Sequence, residues 1–137
     1  MGIKIRTAAP FDAAVILQYD KHIAKSELNR SIAAERVYVA ESETGFCGWL
    51  RYNLFWDNTP FLNMLFVVPE MRKKGAGTKL LFRWESELRA AGYRWAMTST
   101  AAAENARYFY EKAGYTQCGE FFPADDDLEL LFKKKLY

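Results

Sequence analysis

The chain has 137 residues, half of them hydrophobic and 16% aromatic, with a formal net charge of +2 at pH 7. A chain of this size buries a core without staples and reads as one domain over residues 1–137, and its apolar content excludes a disordered segment. The charge is too balanced for nucleic-acid binding on charge alone, while Cys47, Cys118 and the single His22 form neither a disulfide framework nor a zinc site. No metal is expected, and free thiols point to a reducing, cytoplasmic setting. The N-terminal stretch "MGIKIRTAAPFD" lacks the apolar core of a signal peptide, and no segment reaches membrane-spanning length, so no membrane partner is expected.

"IKIRTA" (Ile3 to Ala8) alternates like a half-buried strand. Pro10 and Asp12 suit the first turn of a helix, whose face would carry Val15, Ile16, Tyr19, His22 and Ile23. Ser26 is a candidate cap for a second, shorter helix with Leu28 and Ile32 inward. "RVYVAES" (Arg36 to Ser42) and "FCGWLRYNLFW" (Phe46 to Trp56) read as strands joined by the turn "SETG". After "DNTP", the nearly continuous apolar run "FLNMLFVV" (Phe61 to Val68) reads as a strand buried on both faces near the middle of a sheet. The pattern from Gly77 to Ala91 is helical, with Leu80, Leu81, Trp84, Leu88 and Ala91 on one face and Glu85 and Arg89 spaced for an i,i+4 pair. "YRWAMTST" (Tyr93 to Thr100) is a strand, and "AAAENARYFYEKA" (Ala101 to Ala113) is a helix with Ala106, Phe109, Tyr110 and Ala113 inward. "YTQCGEFF" and "LELLFKKKL" form a final hairpin around the acidic turn "PADDD". Strands and helices are therefore mixed on one sheet, an α/β chain with helical crossovers in its second half.

The junction "VVPEMRKKGAGTKLL" holds the first chemical signal. A buried strand ends, a helix starts, and glycines sit where the helix has unpaired N–H groups and a positive dipole end. Arg72, Lys73 and Lys74 add positive charge. The combination suits a phosphate, better a pyrophosphate. It is not a Walker loop, because Gly77-Thr78-Lys79 has no second glycine at the required distance, and not a dinucleotide fingerprint, because position 80 is Leu80 rather than glycine. The remaining pattern is V-x-P-x-x-R-x-x-G-x-G, on Val67, Pro69, Arg72, Gly75 and Gly77.

One strand later comes A-x-x-F-Y-E-K-x-G-Y, on Ala106, Phe109, Tyr110, Glu111, Lys112, Gly114 and Tyr115. Together the two motifs resemble the GNAT superfamily of N-acetyltransferases, and the order of elements matches from about Ile3 onward. The resemblance implies a three-layer α/β/α fold, with a mixed, mostly antiparallel sheet of about six or seven strands and a splayed central pair. Acetyl-CoA would lie in that V-shaped gap. Its pantetheine arm would pair with the backbone of Leu65, Phe66 and Val67, and its pyrophosphate would sit on Arg72, Lys73, Lys74, Gly75, Ala76, Gly77 and Thr78. Tyr110 matches the family's general acid, a phenol that assists departure of the coenzyme thiolate as an amine attacks the thioester.

Two family positions differ. The asparagine often found seven residues before the tyrosine is Ala103 here; Asn105 lies two residues along, about 200° around a helix, and is carried over only as a weak coenzyme contact. The family's glutamate base falls at about Thr98, which cannot act as one. Glu27, on the early helices, is one candidate base, and solvent is another; the lone His22 reads as structural. For the acceptor pocket, alternation puts Trp49 and Phe55 on one face and Tyr52 and Trp56 on the other. One set packs beneath helices and the other walls the pocket, unless all belong to the core. Trp49 and Trp56, with Asn63 and Ser99 as polar contacts, are the candidate substrate residues. Lys133 to Lys135 read as a solvated rim rather than a nucleic-acid patch. The resemblance thus implies acetyl transfer to a primary amine of a small molecule or peptide, with a non-catalytic acyl-CoA sensor as the alternative, and it leaves a homodimer open.

Overall fold

The computed structural model describes residues 2–137. Alternation in the first segment produces β1 (Lys4–Thr7), which pairs antiparallel with β2 (Val37–Ser42). Between them Pro10 opens a 3-10 turn, Pro10–Asp12, that leads into α1 (Ala13–Tyr19) and α2 (Lys25–Ala33). Asp12 does more than answer a helix dipole: its carboxylate accepts the Ala9 N–H at 2.7 Å and both Arg6 terminal nitrogens at 2.8 and 2.9 Å. Two details differ from the sequence reading. α1 stops at Tyr19, so His22 and Ile23 lie in the following loop, and α2 is preceded by Ala24 as its cap residue, so Ser26 sits inside the first turn.

The chain continues through β3 (Gly45–Phe55), β4 (Thr59–Val67), a 3-10 turn at Pro69–Met71, α3 (Ala76–Ala90), β5 (Trp95–Ala101), α4 (Ala106–Lys112), β6 (Thr116–Phe121) and β7 (Glu129–Lys135). The seven strands are ordered β1-β2-β3-β4-β5-β7-β6. Every neighbouring pair is antiparallel except β4 and β5. On one face Ile16 of α1 and Leu28 and Ile32 of α2 close over Val37, Val39 and Trp49. On the other, Leu80, Leu81, Trp84 and Leu88 of α3 and Tyr110 of α4 close over Tyr38, Leu50, Leu62 and Phe132. This is a three-layer α/β/α fold with a mixed sheet.

The expected start of the fourth helix fails for a clear reason. The alanines from Ala101 have high helix propensity, but Ala101 is held in the β5 ladder opposite Glu129, and the Ala102 N–H donates to Leu128 O at 2.9 Å. Sheet pairing overrides propensity, and α4 begins only at Ala106. Ala91, expected on the inner face of α3, is exposed, and Glu85, expected in a surface pair with Arg89, is buried. Its carboxylate accepts the Tyr115 hydroxyl at 2.8 Å and Lys134 Nζ at 2.9 Å, with Arg89 further off at 3.7 Å. Lys134 therefore belongs to this internal network rather than to a solvated rim.

The central strands carry the feature that makes a site. Arg51 stands opposite Met64, but the next residue, Tyr52, stands opposite Leu62, leaving Asn63 as an extra residue in β4. A bulge of this kind bends its strand and adds twist. On the other edge, β4 pairs with β5 only at Phe61 and Leu62, against Met97 and Thr98. Beyond the bulge the two strands part. β4 is thus central, as expected, but half-exposed over its second half because it borders the opening.

Candidate active site

The parted strands enclose a cleft of about 570 Å³, a size suited to a cofactor or substrate. Leu65 and Asn63 of β4, Ser99 and Thr100 of β5 and Tyr110 of α4 line it. Thr98 marks its closed end by donating to Leu62 O at 3.1 Å. The Val68 N–H donates across the sheet to Cys47 O at 2.8 Å. The carbonyl of Val67, on the far side of that peptide plane, is therefore turned to the cleft edge, and by strand alternation Leu65 is turned the same way. The backbone groups of Phe66, between them, face β3. Its ring packs 5.0 Å from Trp49.

Where β4 ends, the loop turns sharply. Lys73 (φ 61°) and Gly75 (φ 89°) both take left-handed backbone, a conformation that favours glycine at the helix cap. No side chain caps α3, and its first backbone bond is Lys79 N–H to Gly75 O at 3.0 Å. The N–H groups of Ala76, Gly77 and Thr78 are therefore left for another acceptor. A Cβ on Gly75 would meet nothing within 4 Å, so the space above the cap is open. A Cβ on Gly77 would touch the Phe109 ring at 3.7 Å and Val67 Cγ2 at 3.8 Å, so a longer side chain there would wedge between α4 and β4. Arg72 folds back over the mouth, donating from Nε to Val67 O at 2.8 Å with its guanidinium 5.2 Å from the Phe66 ring centroid.

Tyr110 is 5% exposed. Burial pushes its phenol well above the ordinary tyrosine value, and the neighbouring Thr98 side chain pulls weakly the other way. It stays a neutral proton donor throughout the physiological range. Its partner in the motif, Tyr115, is structural, bound to Glu85 and edge-on to Tyr110 at 5.6 Å.

Four of the residues singled out in the sequence lie elsewhere. Trp49 is 1% exposed and lies in the core beneath α1 and α2, because its strand face is the one those helices cover; it is not a pocket wall. Trp56 is 78% exposed at the β3–β4 turn, where β4 begins and not where the strands part. Glu27 is exposed on α2 and paired with Arg30 at 2.9 Å. Asn105 is the cap residue of α4, with no side-chain cap bond, and does not line the cleft. In their place the fold brings in His22, read from the sequence as structural, and four acidic residues that were not singled out there. His22 reaches the cleft from the α1–α2 loop, which Asp20 holds by accepting the His22 N–H at 3.0 Å. Glu104, Asp126, Asp127 and Glu129 also line it, and Ser99 Oγ donates to Glu129 Oε2 at 2.7 Å. The "PADDD" turn was the one visible signal for the acidic members.

Comparison with known proteins agrees with this fold. The acetyltransferase (GNAT) domain profile matches residues 33–117, more than half of the chain. The chain belongs to the GNAT family of acetyltransferases. Among solved structures it is similar to Ard1 from Thermoplasma volcanium (TM-score 0.86, 15% identity, 100% of this chain and 99% of that one). It is also similar to a GNAT-family acetyltransferase from Bacillus cereus (0.81, 22%, 98% and 98%). A third is the PaiA N-acetyltransferase from Thermoplasma acidophilum, solved in complex with coenzyme A (0.81, 17%, 98% and 99%). No curated protein sequence matches the chain.

Proposed function

We propose that this acetyltransferase uses acetyl-CoA to acetylate a primary amine of a small molecule or peptide, with Tyr110 as the general acid. The observation that carries the reading is a juxtaposition. A strand edge without a ladder partner at Leu65 and Val67, its Val67 carbonyl covered by Arg72, leads directly to the uncapped N-terminus of α3, and a buried phenol lines the gap beside them. Strand-edge amides and carbonyls suit the amide-rich arm of the coenzyme, and the N–H groups from Lys73 to Thr78 suit its diphosphate. Arg72, Lys73 and Lys74 add charge at that end. The residues fit the cosubstrate, which supplies an activated acetyl thioester.

The chain's own residues then handle position and protons. Val67 and Leu65 hold the arm along β4, and Arg72 releases the Val67 carbonyl as it takes up a phosphate. As the amine nitrogen takes the acetyl carbon and the C–S bond breaks, Tyr110 would donate its phenolic proton to the departing sulfur, and the proton lost by the nitrogen would pass to solvent, from which the phenol is restored. Asn63 and Ser99, both on the cleft wall, contact the acceptor.

Acetyl-CoA is expected to raise the melting temperature by several degrees and ATP to leave it unchanged, since a ligand at 100 times its Kd contributes about 2.7 kcal/mol. Equal responses to the two, or none to acetyl-CoA, would count against the reading. Gly77→Leu should abolish the acetyl-CoA shift while Gly77→Ala keeps most of it, because only the longer chain must displace Phe109 or Val67. Thiol release across a panel of amines tests turnover; tight coenzyme binding with no release from any amine would favour a sensor.

A further inference from the structure

The strand edge that suits the coenzyme arm is closed by the chain itself. The 3-10 turn at Pro69–Met71 reverses the backbone, so the Arg72 side chain returns to the strand end it has just left. Its Nε donates to Val67 O at 2.8 Å, and its guanidinium lies 5.2 Å from the Phe66 ring centroid. That ring is held in turn, 5.0 Å from Trp49 and 5.6 Å from Tyr19. Arg72 thus has a preformed seat of one carbonyl and one aromatic face. The seat is neutral. No carboxylate pairs with Arg72 among the described residues, whereas Arg6, Arg51 and Arg83 all have such partners.

Two donors compete for this carbonyl. Val67 O has no ladder partner across the parted strands, since β4 meets β5 only at Phe61 and Leu62. An arm lying along β4 needs that acceptor and must displace Arg72 to reach it. On a neutral carbonyl the guanidinium makes a single bond; on a diphosphate it meets opposite charge and can bond through two nitrogens. The free N–H groups of Ala76, Gly77 and Thr78 follow in the same loop, so an anion bound there draws Arg72 from its seat. The same ligand then frees the acceptor for its own arm. A thioester without phosphates carries the arm and has nothing with which to move the cation.

We infer that Arg72 is a specificity residue: it keeps the arm-binding edge shut to phosphate-free acyl thioesters, and the diphosphate of the donor opens it. This rests on the transferase reading above and deepens it, from where the donor lies to which donors are refused. The apparent affinity of any ligand that needs the edge is reduced by the fraction of molecules in which Arg72 is off its seat. Diphosphate and arm are therefore coupled, each strengthening the binding of the other.

The test is a set of calorimetric titrations with pantetheine, coenzyme A and inorganic pyrophosphate, on the unaltered protein and on Arg72→Ala. Coenzyme A should bind the variant about tenfold more weakly, for want of a charge-assisted contact. Pantetheine should bind the same variant about three- to tenfold more tightly, because the acceptor is then free. Saturating pyrophosphate should tighten pantetheine binding to the unaltered protein by a similar factor and leave the variant unmoved. Pantetheine binding unchanged by the substitution would make Arg72 a phosphate ligand only. Weaker binding of pantetheine and coenzyme A alike would make it a support of the loop. Either result, or no effect of pyrophosphate on the unaltered protein, a measurement that needs no variant, overturns the assignment and leaves the transferase reading standing. Failure of coenzyme A to bind the unaltered protein would overturn both.

Discussion

Replacing Tyr110 by phenylalanine should lower kcat for acetyl transfer by on the order of 10²–10⁴, the usual worth of a positioned general acid. The change removes one oxygen from a side chain already packed against Phe109 and Tyr115, so the fold and the acetyl-CoA thermal shift should persist. The loss is chemical rather than steric. A free thiol titrates near ~8.5 and a free tyrosine near ~10, so a phenol in water would be a modest donor to a departing thiolate. Burial alters the comparison. It raises the Tyr110 phenol further and keeps it a neutral hydrogen-bond donor, and a thiolate that loses water as the coenzyme fills the cleft would gain more from such a donor than one in bulk solvent.

The sign of that shift gives a pH signature. A raised pKa keeps the protonated form, and for this acid the protonated form is the active one. Rate should rise with pH as the acceptor ammonium loses its proton, and should show no fall from Tyr110 ionisation up to about pH 10, where an ordinary tyrosine would already be half ionised. The phenylalanine variant should lose least with an acyl donor whose thiol is more acidic, because such a sulfur leaves without help. Steady-state thiol release measured with both donors checks this. A variant that keeps the full rate with acetyl-CoA would show that Tyr110 merely fills the core.

The parts of this site legible in the sequence are those that the local chain encodes. The loop from Arg72 to Thr78 could be read because a strand end, a glycine cap and a helix start are all local, and the second motif supplied Tyr110 at its correct place on α4. The alternating and amphipathic segments likewise yielded the order of elements. What could not be read depends on pairing across the sheet. The Asn63 bulge exists only in the register between β3 and β4, and without it neither the parting of the strands nor the half-exposure of β4 follows. Trp49 and Trp56 were both plausible pocket walls on alternation, but only the packing of α1 and α2 decides that one is core and the other lies at a turn. The acidic wall is assembled from β7, the β6–β7 turn and the segment before α4, which are distant in the chain and meet only at the cleft.

Arg51→Met should destabilise the protein by about 3–5 kcal/mol, lowering Tm by on the order of 10–20 °C, because it strands the Asp20 carboxylate without a counter-ion. The pair is the most enclosed in the protein, with side chains 9% and 0% exposed and Nε donating to Oδ2 at 2.8 Å. Removing both charges together with apolar replacements should cost far less than either single change, since much of the penalty lies in the unpaired ion and not in the lost attraction. Thermal or urea unfolding of the two single variants and the double variant decides this; a single-variant loss below about 1 kcal/mol, the range of exposed pairs, would show that water still reaches the site. The position of the pair carries the consequence into function. Arg51 stands opposite Met64, immediately beside the bulge that parts β4 from β5, and Asp20 ends α1 and holds the loop that brings His22 to the cleft. One ion pair therefore ties the helical layer to the bend in the central strand. Partial loss should loosen both walls of the acceptor site, so that surviving Arg51→Met protein at low temperature keeps its coenzyme shift, governed by the α3 terminus, but has a raised KM for the amine.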